Sequence, residues 1–333
     1  MTTSQKFICR CFHLSSLAKF ILFLIFTLVY CYISYKNLPN SKPTRATTNF
    51  QANHSKHQKV SHSKKVKTDY DWAEVERELS ERRETVLEAC YNTENPISKP
   101  NAWEFVIDAR HSLVWCNIFK SASSSWMHNF NLLGGYGENF LRVSHTNPIS
   151  IMRSHFPRPT IRQLLTALPT SLSFLIARDP FHRLLSAYRN KIEHLHTHYY
   201  RRLAKTIVIR YRTRASSSLS VGPTFEEFAR YVAETHSKAD EHWAPIYKFC
   251  TPCAVNFTVI AKLDTLSRDQ AYIIHKANLG NILTPEKIGI QNRAHNGMKT
   301  ESLLQKYYSK LSKPLIDKLV SLYIMDFKMF GYN

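Results

Sequence analysis

The chain has 333 residues, with 45 Lys/Arg against 25 Asp/Glu and a formal net charge of +20. That length holds one large domain or two small ones, and 44% apolar residues with 12% aromatics exclude a wholly disordered chain. The charge is uneven: residues 1–68 hold 11 Lys/Arg and no acid, leaving 34 basic and 25 acidic residues, a net +9, for the remainder. A domain of that charge prefers anionic partners (acidic glycan, phosphorylated cofactor, anionic lipid or nucleic acid), and composition does not choose among them.

Leu17 to Tyr35 is apolar apart from Lys19, Thr27 and Ser34. As a helix this run spans about 28 Å, close to the roughly 30 Å hydrocarbon core of a bilayer. A cleaved signal peptide wants small residues after its apolar run, whereas Tyr30, Tyr32, Ile33 and Tyr35 crowd that place. The reading is a transmembrane signal anchor at 17–35 behind a cytoplasmic tail, 1–16. Basic residues flank both ends, so the positive-inside rule gives no orientation. Two N-glycosylation triplets, Asn53-His-Ser55 and Asn256-Phe-Thr258, favour a lumenal bulk. So do the cysteines beyond the span, Cys90, Cys116, Cys250 and Cys253, whose even number suits two disulfides in an oxidising lumen. Three pairings are open.

Residues 36–68 are Lys, Ser, His, Thr and Asn with almost no large apolar residue, a composition that reads as a flexible basic stem. The lumenal domain runs from 69 to 333. A helix is predicted at about 70–90, a strand at Ser112–Phe119 and a helix at Ser123–Leu133. A second strand covers Leu172–Ala177, and the helix after it carries Phe181, Leu184, Leu185, Tyr188 and Ile192 on one face. Thr224-Phe-Glu-Glu227 is a capping box opening a further helix. Asn256–Leu263 reads as a strand, Thr265–Ala277 as a helix and Pro314–Phe330 as a terminal amphipathic helix. Strands alternating with helices point to an α/β fold, a parallel sheet flanked by helices.

Two segments carry the chemistry. Phe119-Lys-Ser-Ala-Ser-Ser-Ser-Trp126 stands between a predicted strand and a predicted helix, an arrangement that aims backbone N–H groups and the positive helix end at one point. Lys120 adds a mobile charge, and the loop lacks the GxxxxGK[ST] pattern of nucleoside triphosphatases. Arg178-Asp-Pro-Phe-His-Arg-Leu-Leu-Ser-Ala-Tyr-Arg189 follows the second strand directly. Arg178 would leave that strand's carboxyl end, where open α/β sheets bind ligands, and its planar guanidinium suits a phosphate. Ser186 lies two helical turns further on.

With these motifs the chain resembles the Golgi carbohydrate sulfotransferases of the chondroitin/dermatan 4-O-sulfotransferase and HNK-1 sulfotransferase type. Lys120 and its Ser/Ala run resemble that family's 5'-phosphosulfate loop, and Arg178 to Ser186 its 3'-phosphate motif. The block Glu241-His-Trp with Cys250-x-Pro-Cys253 and the end Asp326-Phe-Lys-Met-Phe-Gly-Tyr332 agree. The resemblance runs from about 110 to the C-terminus. It implies a P-loop-like sulfotransferase fold and a single-pass type II protein of the Golgi membrane. It further implies transfer of a sulfuryl group from 3'-phosphoadenosine 5'-phosphosulfate to a sugar hydroxyl, without metal or nucleic acid. The acceptor is an acidic or neutral glycan, and the resemblance leans toward the 4-hydroxyl of N-acetylgalactosamine in chondroitin-type chains. Phe119, Lys120, Ser121, Ala122, Ser123, Ser124 and Ser125 are the implied 5'-phosphosulfate loop. Arg178, Asp179, Pro180, Phe181, His182, Arg183, Leu184, Leu185 and Ser186 are the implied 3'-phosphate motif. Phe119 stands where the family usually has Pro, which restores an N–H and loosens the start of the loop.

The acceptor hydroxyl needs a general base. His242 is the first choice, for its motif and its neighbours Asp240 and Glu241, with His155 and Glu193 behind it. Cys250-x-x-Cys253 with His242 resembles half a zinc site, but disulfide use fits a lumenal chain better. Lys191–Arg214 is a basic stretch interleaved with Tyr199, Tyr200 and Tyr211, read either as a cradle for acidic polysaccharide or as a solvated helix face. Two rival functions remain: a non-catalytic acidic-glycan-binding protein on the same fold, and a nucleotide kinase.

Overall fold

A short sheet fixes the edge on which the anion loop sits. The computed structural model describes residues 70–194, 197–213, 222–235, 239–285, 287–288 and 301–332, all within one unit, Lys67–Asn333. The strands, in sheet order, are β1 (Phe105–Asp108), β2 (Leu113–Cys116), β3 (Leu172–Ala177) and β4 (Val259–Lys262). The helices are α1 (Trp72–Tyr91), α2 (Ser123–Leu133), α3 (Glu138–Val143), α4 (Pro148–His155), α5 (Ile161–Ala167), α6 (Pro180–Ala187), α7 (His198–Tyr211), α8 (Phe225–Glu234), α9 (Ile246–Phe249), α10 (Leu266–Lys276), α11 (Glu301–Tyr308) and α12 (Lys313–Phe330). A π-helical turn, Tyr188–Glu193, continues α6.

β2, β3 and β4 run parallel, as expected, but β1 pairs antiparallel with β2, so the sheet is mixed and not wholly parallel. The apolar run of β1 is only Phe105 to Ile107, too short to read as a strand in the sequence. The β1–β2 turn is held locally instead. Asp108 accepts from the amides of Arg110 and His111, and Ser112 takes a left-handed φ of 48°.

Both faces of the sheet are buried, which is why its strands read as near-continuous apolar runs. Side chains alternate along each strand. Leu113, Trp115, Phe174, Ile176, Val259 and Ala261 face a core built with α1, α2, α4 and α10. Val114, Cys116, Leu175, Ala177 and Ile260 face a second core with α5, α9 and the end of α12. A third, all-helical core joins α6, α7, α8, α11 and α12.

Two disulfides link Cys90 to Cys253 and Cys116 to Cys250. Cys250 and Cys253 therefore do not pair with each other, and neither holds a free thiolate for zinc. Each bridges to a distant segment, and Cys116–Cys250 joins the end of β2 to the residue closing α9. Bridges spanning 163 and 134 residues restrict the unfolded chain strongly and suit an oxidising compartment.

Across the sheet from that bridge lies a buried ionic knot. Asp269 is fully buried and accepts from Arg82 Nη1 at 2.6 Å, from the Lys262 amide at 2.9 Å and from Thr265 Oγ1 at 2.7 Å. Asp269→Ala removes the buried counter-charge of Arg82 and leaves it only the partly exposed Glu78. We expect a loss of about 3–5 kcal/mol in stability and, in a domain of this size, a melting point lower by about 10 °C in a calorimetric scan.

Among the described residues no helix is long and apolar enough to cross a membrane. The expected span at 17–35, the stem and Asn53 lie outside the described residues. Asn256 is exposed just before β4, at the sheet edge opposite the anion loop.

Candidate active site

The anion loop leaves β2 at its carboxyl end and enters α2. Ala122, the residue capping α2, has no side-chain oxygen to offer the first-turn amides, so the positive helix end faces the loop without a cap of its own. Lys120 and Ala122 both take left-handed backbone angles, φ 69° and 57°, each costing a non-glycine residue about 1–3 kcal/mol. Left-handed residues alternating with right-handed ones turn successive N–H groups into an anion-binding concavity. Ser121 Oγ is buried in this loop without a hydrogen-bond partner.

What holds the strained loop is the second motif. Arg178 leaves β3, the neighbour of β2, and donates from Nη1 to the Lys120 carbonyl at 2.9 Å. Arg183, one turn into α6, is 1% exposed. It donates to the carbonyls of Phe119 at 2.9 Å, Ala244 at 2.6 Å and Glu241 at 3.0 Å. Arg183 is thus a buried tie between the loop and the 241–244 segment. Leu184 and Leu185 likewise point into the helical core. Phe181 packs on Tyr308 and Phe327, while Asp179 caps α6 by accepting from the His182 amide, with Pro180 at the first helical position. His182 and Ser186, four residues apart, share one side of α6, and Arg178 precedes the helix. Phe119 does not loosen the loop: it is buried, its carbonyl is held by Arg183, and its ring lies 4.7 Å from that of His242.

Burial, with the cations Lys191, Arg178 and Arg183 adding to it, lowers Lys120 to a pKa of about 7. Lys191 belongs to the π-helical turn and sits with its ammonium 5.2 Å from the Tyr200 ring centroid. Such turns commonly mark functional positions.

His242 is buried beside this cluster. Its Nδ1 lies 2.7 Å from Asp240 Oδ1 and 3.0 Å from the Tyr200 hydroxyl, and Tyr200 also donates to Asp240 Oδ2 at 3.1 Å. The carboxylate assigns the proton to Nδ1, which leaves Nε2 as the acceptor. Burial, with Lys191 and Lys120 adding to it, lowers the His242 pKa despite Asp240. The ring is therefore neutral at neutral pH. Next to it, burial and the charges of Glu104 and Asp240 push Glu241 up to about 6.

The other candidate bases lie elsewhere. His155 ends α4 and packs against Gly134 at the far end of α2, so it is about 15 Å along that helix from the loop. Glu193 accepts from Tyr307 at 2.7 Å and faces Arg189. The basic stretch also divides. Lys191 and Tyr200 turn inward, Arg210 and Arg212 pair with Glu234 and Glu227, and Arg201, Arg202 and Lys205 are exposed. Arg214 lies outside the described residues. Lys191 and Tyr200 were read in the sequence only as part of a possible polysaccharide cradle, and Glu241 only as a neighbour of His242.

The C-terminal block supports the site from behind. Asp326 is fully buried and accepts from the amides of Ile246 and Tyr247 at 2.6 and 2.8 Å. Tyr323 donates to the Trp243 carbonyl at 2.6 Å.

An α/β domain with an anion loop after one parallel strand, an arginine after the next, and a neutral buried histidine beside both defines a group-transfer site for an anionic donor. Residues 103–333 match the sulfotransferase family, and the chain belongs to it. Among curated proteins it is similar to carbohydrate sulfotransferase 8 of Homo sapiens, 25% identical over 277 residues, covering 80% of this chain and 65% of that protein. Carbohydrate sulfotransferase 11 of Rattus norvegicus is 27% identical over 269 residues, covering 76% of this chain and 75% of the relative. Carbohydrate sulfotransferase 14 of Danio rerio is 28% identical over 279 residues, covering 78% and 73%. The chain thus spans just under two thirds of the first of these relatives. No solved structure matches it.

Proposed function

We propose that this protein is a carbohydrate sulfotransferase. In this reading it transfers a sulfuryl group from 3'-phosphoadenosine 5'-phosphosulfate to the 4-hydroxyl of N-acetylgalactosamine in chondroitin-type chains. It works in the Golgi lumen, anchored by residues 17–35 and glycosylated at Asn53 and Asn256. The observation that carries the reading is the contact of Arg178 with the Lys120 carbonyl. It brings the two anion motifs together on adjacent strand ends, close enough to grip one bisphosphorylated donor. The cation cluster that depresses Lys120 fits that charge.

When bound, the donor supplies a sulfuryl group on a phosphate leaving group. Lys120 and the loop amides hold the charge that builds on the leaving phosphate. Arg178 and Ser186 fix the 3'-phosphate, and Arg183 keeps the loop in register with the 241–244 segment. Lys191 faces the charge on the transferring group. His242 takes the acceptor's proton at Nε2 while the acceptor oxygen forms its bond to sulfur and the bond from sulfur to the bridging oxygen breaks, its electron pair leaving with the phosphate. Asp240 and Tyr200 hold the ring for that step.

The test is incubation of the purified lumenal domain with labelled donor and desulfated chondroitin, followed by disaccharide analysis. A 4-sulfated N-acetylgalactosamine product supports the reading. Label at another position overturns the acceptor assignment, and tight binding of both ligands without incorporation favours the non-catalytic glycan-binding alternative.

A further inference from the structure

We propose that Trp103 and Arg158 form an acceptor subsite that reads a hexuronate neighbouring the sugar to be sulfated, an inference resting on the transfer reading above. Its place follows from the one antiparallel pair in the sheet. Because Phe105 at the start of β1 lies opposite Cys116 at the end of β2, residues 101–104 arrive at the edge where the anion loop departs. Asn117, the first loop residue, donates from its amide to the Glu104 carbonyl and from Nδ2 to Glu104 Oε2, both at 3.1 Å. β1 and β3 flank β2 on opposite sides. The arginine of the 3'-phosphate motif therefore lies on one side of Lys120 and Trp103 on the other, where an acceptor has room to approach.

The side chains there are ordered by one buried carboxylate. Glu104 is 1% exposed, with Oε2 taken by Arg153 and Asn117 and Oε1 by Arg158 at 2.7 Å. Arg153 also donates to the Phe105 carbonyl at 2.8 Å and is nearly buried, so it suffices to neutralise Glu104. Arg158 is a second cation on the same carboxylate, with 36% of its side chain exposed. Its remaining donors, Nε and Nη1, make no hydrogen bond among the described residues. The guanidinium lies 4.4 Å over the Trp103 ring. With one face so covered, an indole still 59% exposed presents its other face to solvent.

A rigid guanidinium with unused in-plane donors suits a carboxylate, and an exposed indole face suits the apolar face of a pyranose ring. A hexuronate in a repeating disaccharide supplies the first, and its neighbouring sugar the second. The ledge also adjoins the reacting groups: Arg158 and Glu104 both act on Glu241, the residue before His242.

Calorimetric titration of the lumenal domain compares desulfated chondroitin oligosaccharide with its carboxyl-reduced counterpart. Trp103→Ala, Arg158→Gln and Arg158→Lys are run beside wild type, with 3',5'-bisphosphoadenosine binding as the control for an intact donor site. Wild type should bind the uronate form at least about tenfold more tightly. Arg158→Gln should erase that ratio while the reduced oligosaccharide and the bisphosphate bind as before. Arg158→Lys, which keeps the charge on Glu104, should lose most of the ratio too. Trp103→Ala should weaken both oligosaccharides alike. Equal binding of the two by wild type, or equal weakening of both by Arg158→Gln, overturns the proposal. Uronate-selective binding that depends on Arg158 without sulfate incorporation leaves the subsite standing and removes the transfer reading instead.

Discussion

Lys120→Ala should lower sulfuryl transfer about 10²–10³-fold, the usual consequence of removing one preorganised group that stabilises developing negative charge. Stability should hold or rise slightly, because the ammonium is desolvated and repelled by Lys191, Arg178 and Arg183. A loss of both activity and melting temperature would show that Lys120 serves the fold instead. The wild-type protein should also reveal the residue through pH. With a pKa near 7 in the free site, Lys120 is largely neutral at pH 8. A bound bisphosphate raises that pKa, so binding takes up a proton. Affinity for 3',5'-bisphosphoadenosine is then greatest below pH 7 and weakens by up to about tenfold per unit as pH rises toward the bound-state pKa. In Lys120→Ala the slope should flatten. Proton uptake measured by calorimetry in buffers of different ionisation enthalpy checks the sign independently.

The second large effect concerns His242. His242→Ala should reduce kcat by about 10²–10⁴, the range for a lost general base, with little change in donor affinity. The pH profile is more diagnostic than the magnitude. The neutral ring is the active form and its pKa is lowered, so wild-type kcat at saturating donor should be flat through neutrality and fall only on the acid side. Asp240→Asn removes the charge that opposes this lowering. It should move the acid limb to still lower pH and lower kcat, because an amide fixes the ring tautomer poorly. Tyr200→Phe tests positioning alone, by a smaller fall in kcat without change in the acceptor KM. If His242→Ala keeps the wild-type acid limb, Glu241, which titrates near 6, becomes the base.

The anion loop, the Arg178–Ser186 motif and the main helices and parallel strands were legible in the sequence because each depends on local order. A buried strand, a tight anion loop and a helix beginning at Ser123 follow one another within about twenty residues, and Asp179-Pro180 states its own helix start. The capping box at Thr224 formed as read, with Glu227 returning to the Thr224 amide. The antiparallel β1 was hidden, since its apolar run is only Phe105 to Ile107 before Asp108, whereas the equally short β2 and β4 sit in longer apolar runs. So was the disulfide pairing, which depends on which strand end meets which loop.

The sequence by itself thus determined the local character of the two motif segments, since charge, chain stiffness and helix polarity act over a few residues. The tertiary structure alone decided that Arg183 is a buried tie, that His242 of three candidates stands beside Lys120, and that Trp103 shares the loop's edge. These are questions of distance between segments far apart in the chain. Only the closing of the sheet and its two covering cores brings Glu104, Lys120, Lys191, Tyr200 and His242 within reach of one another.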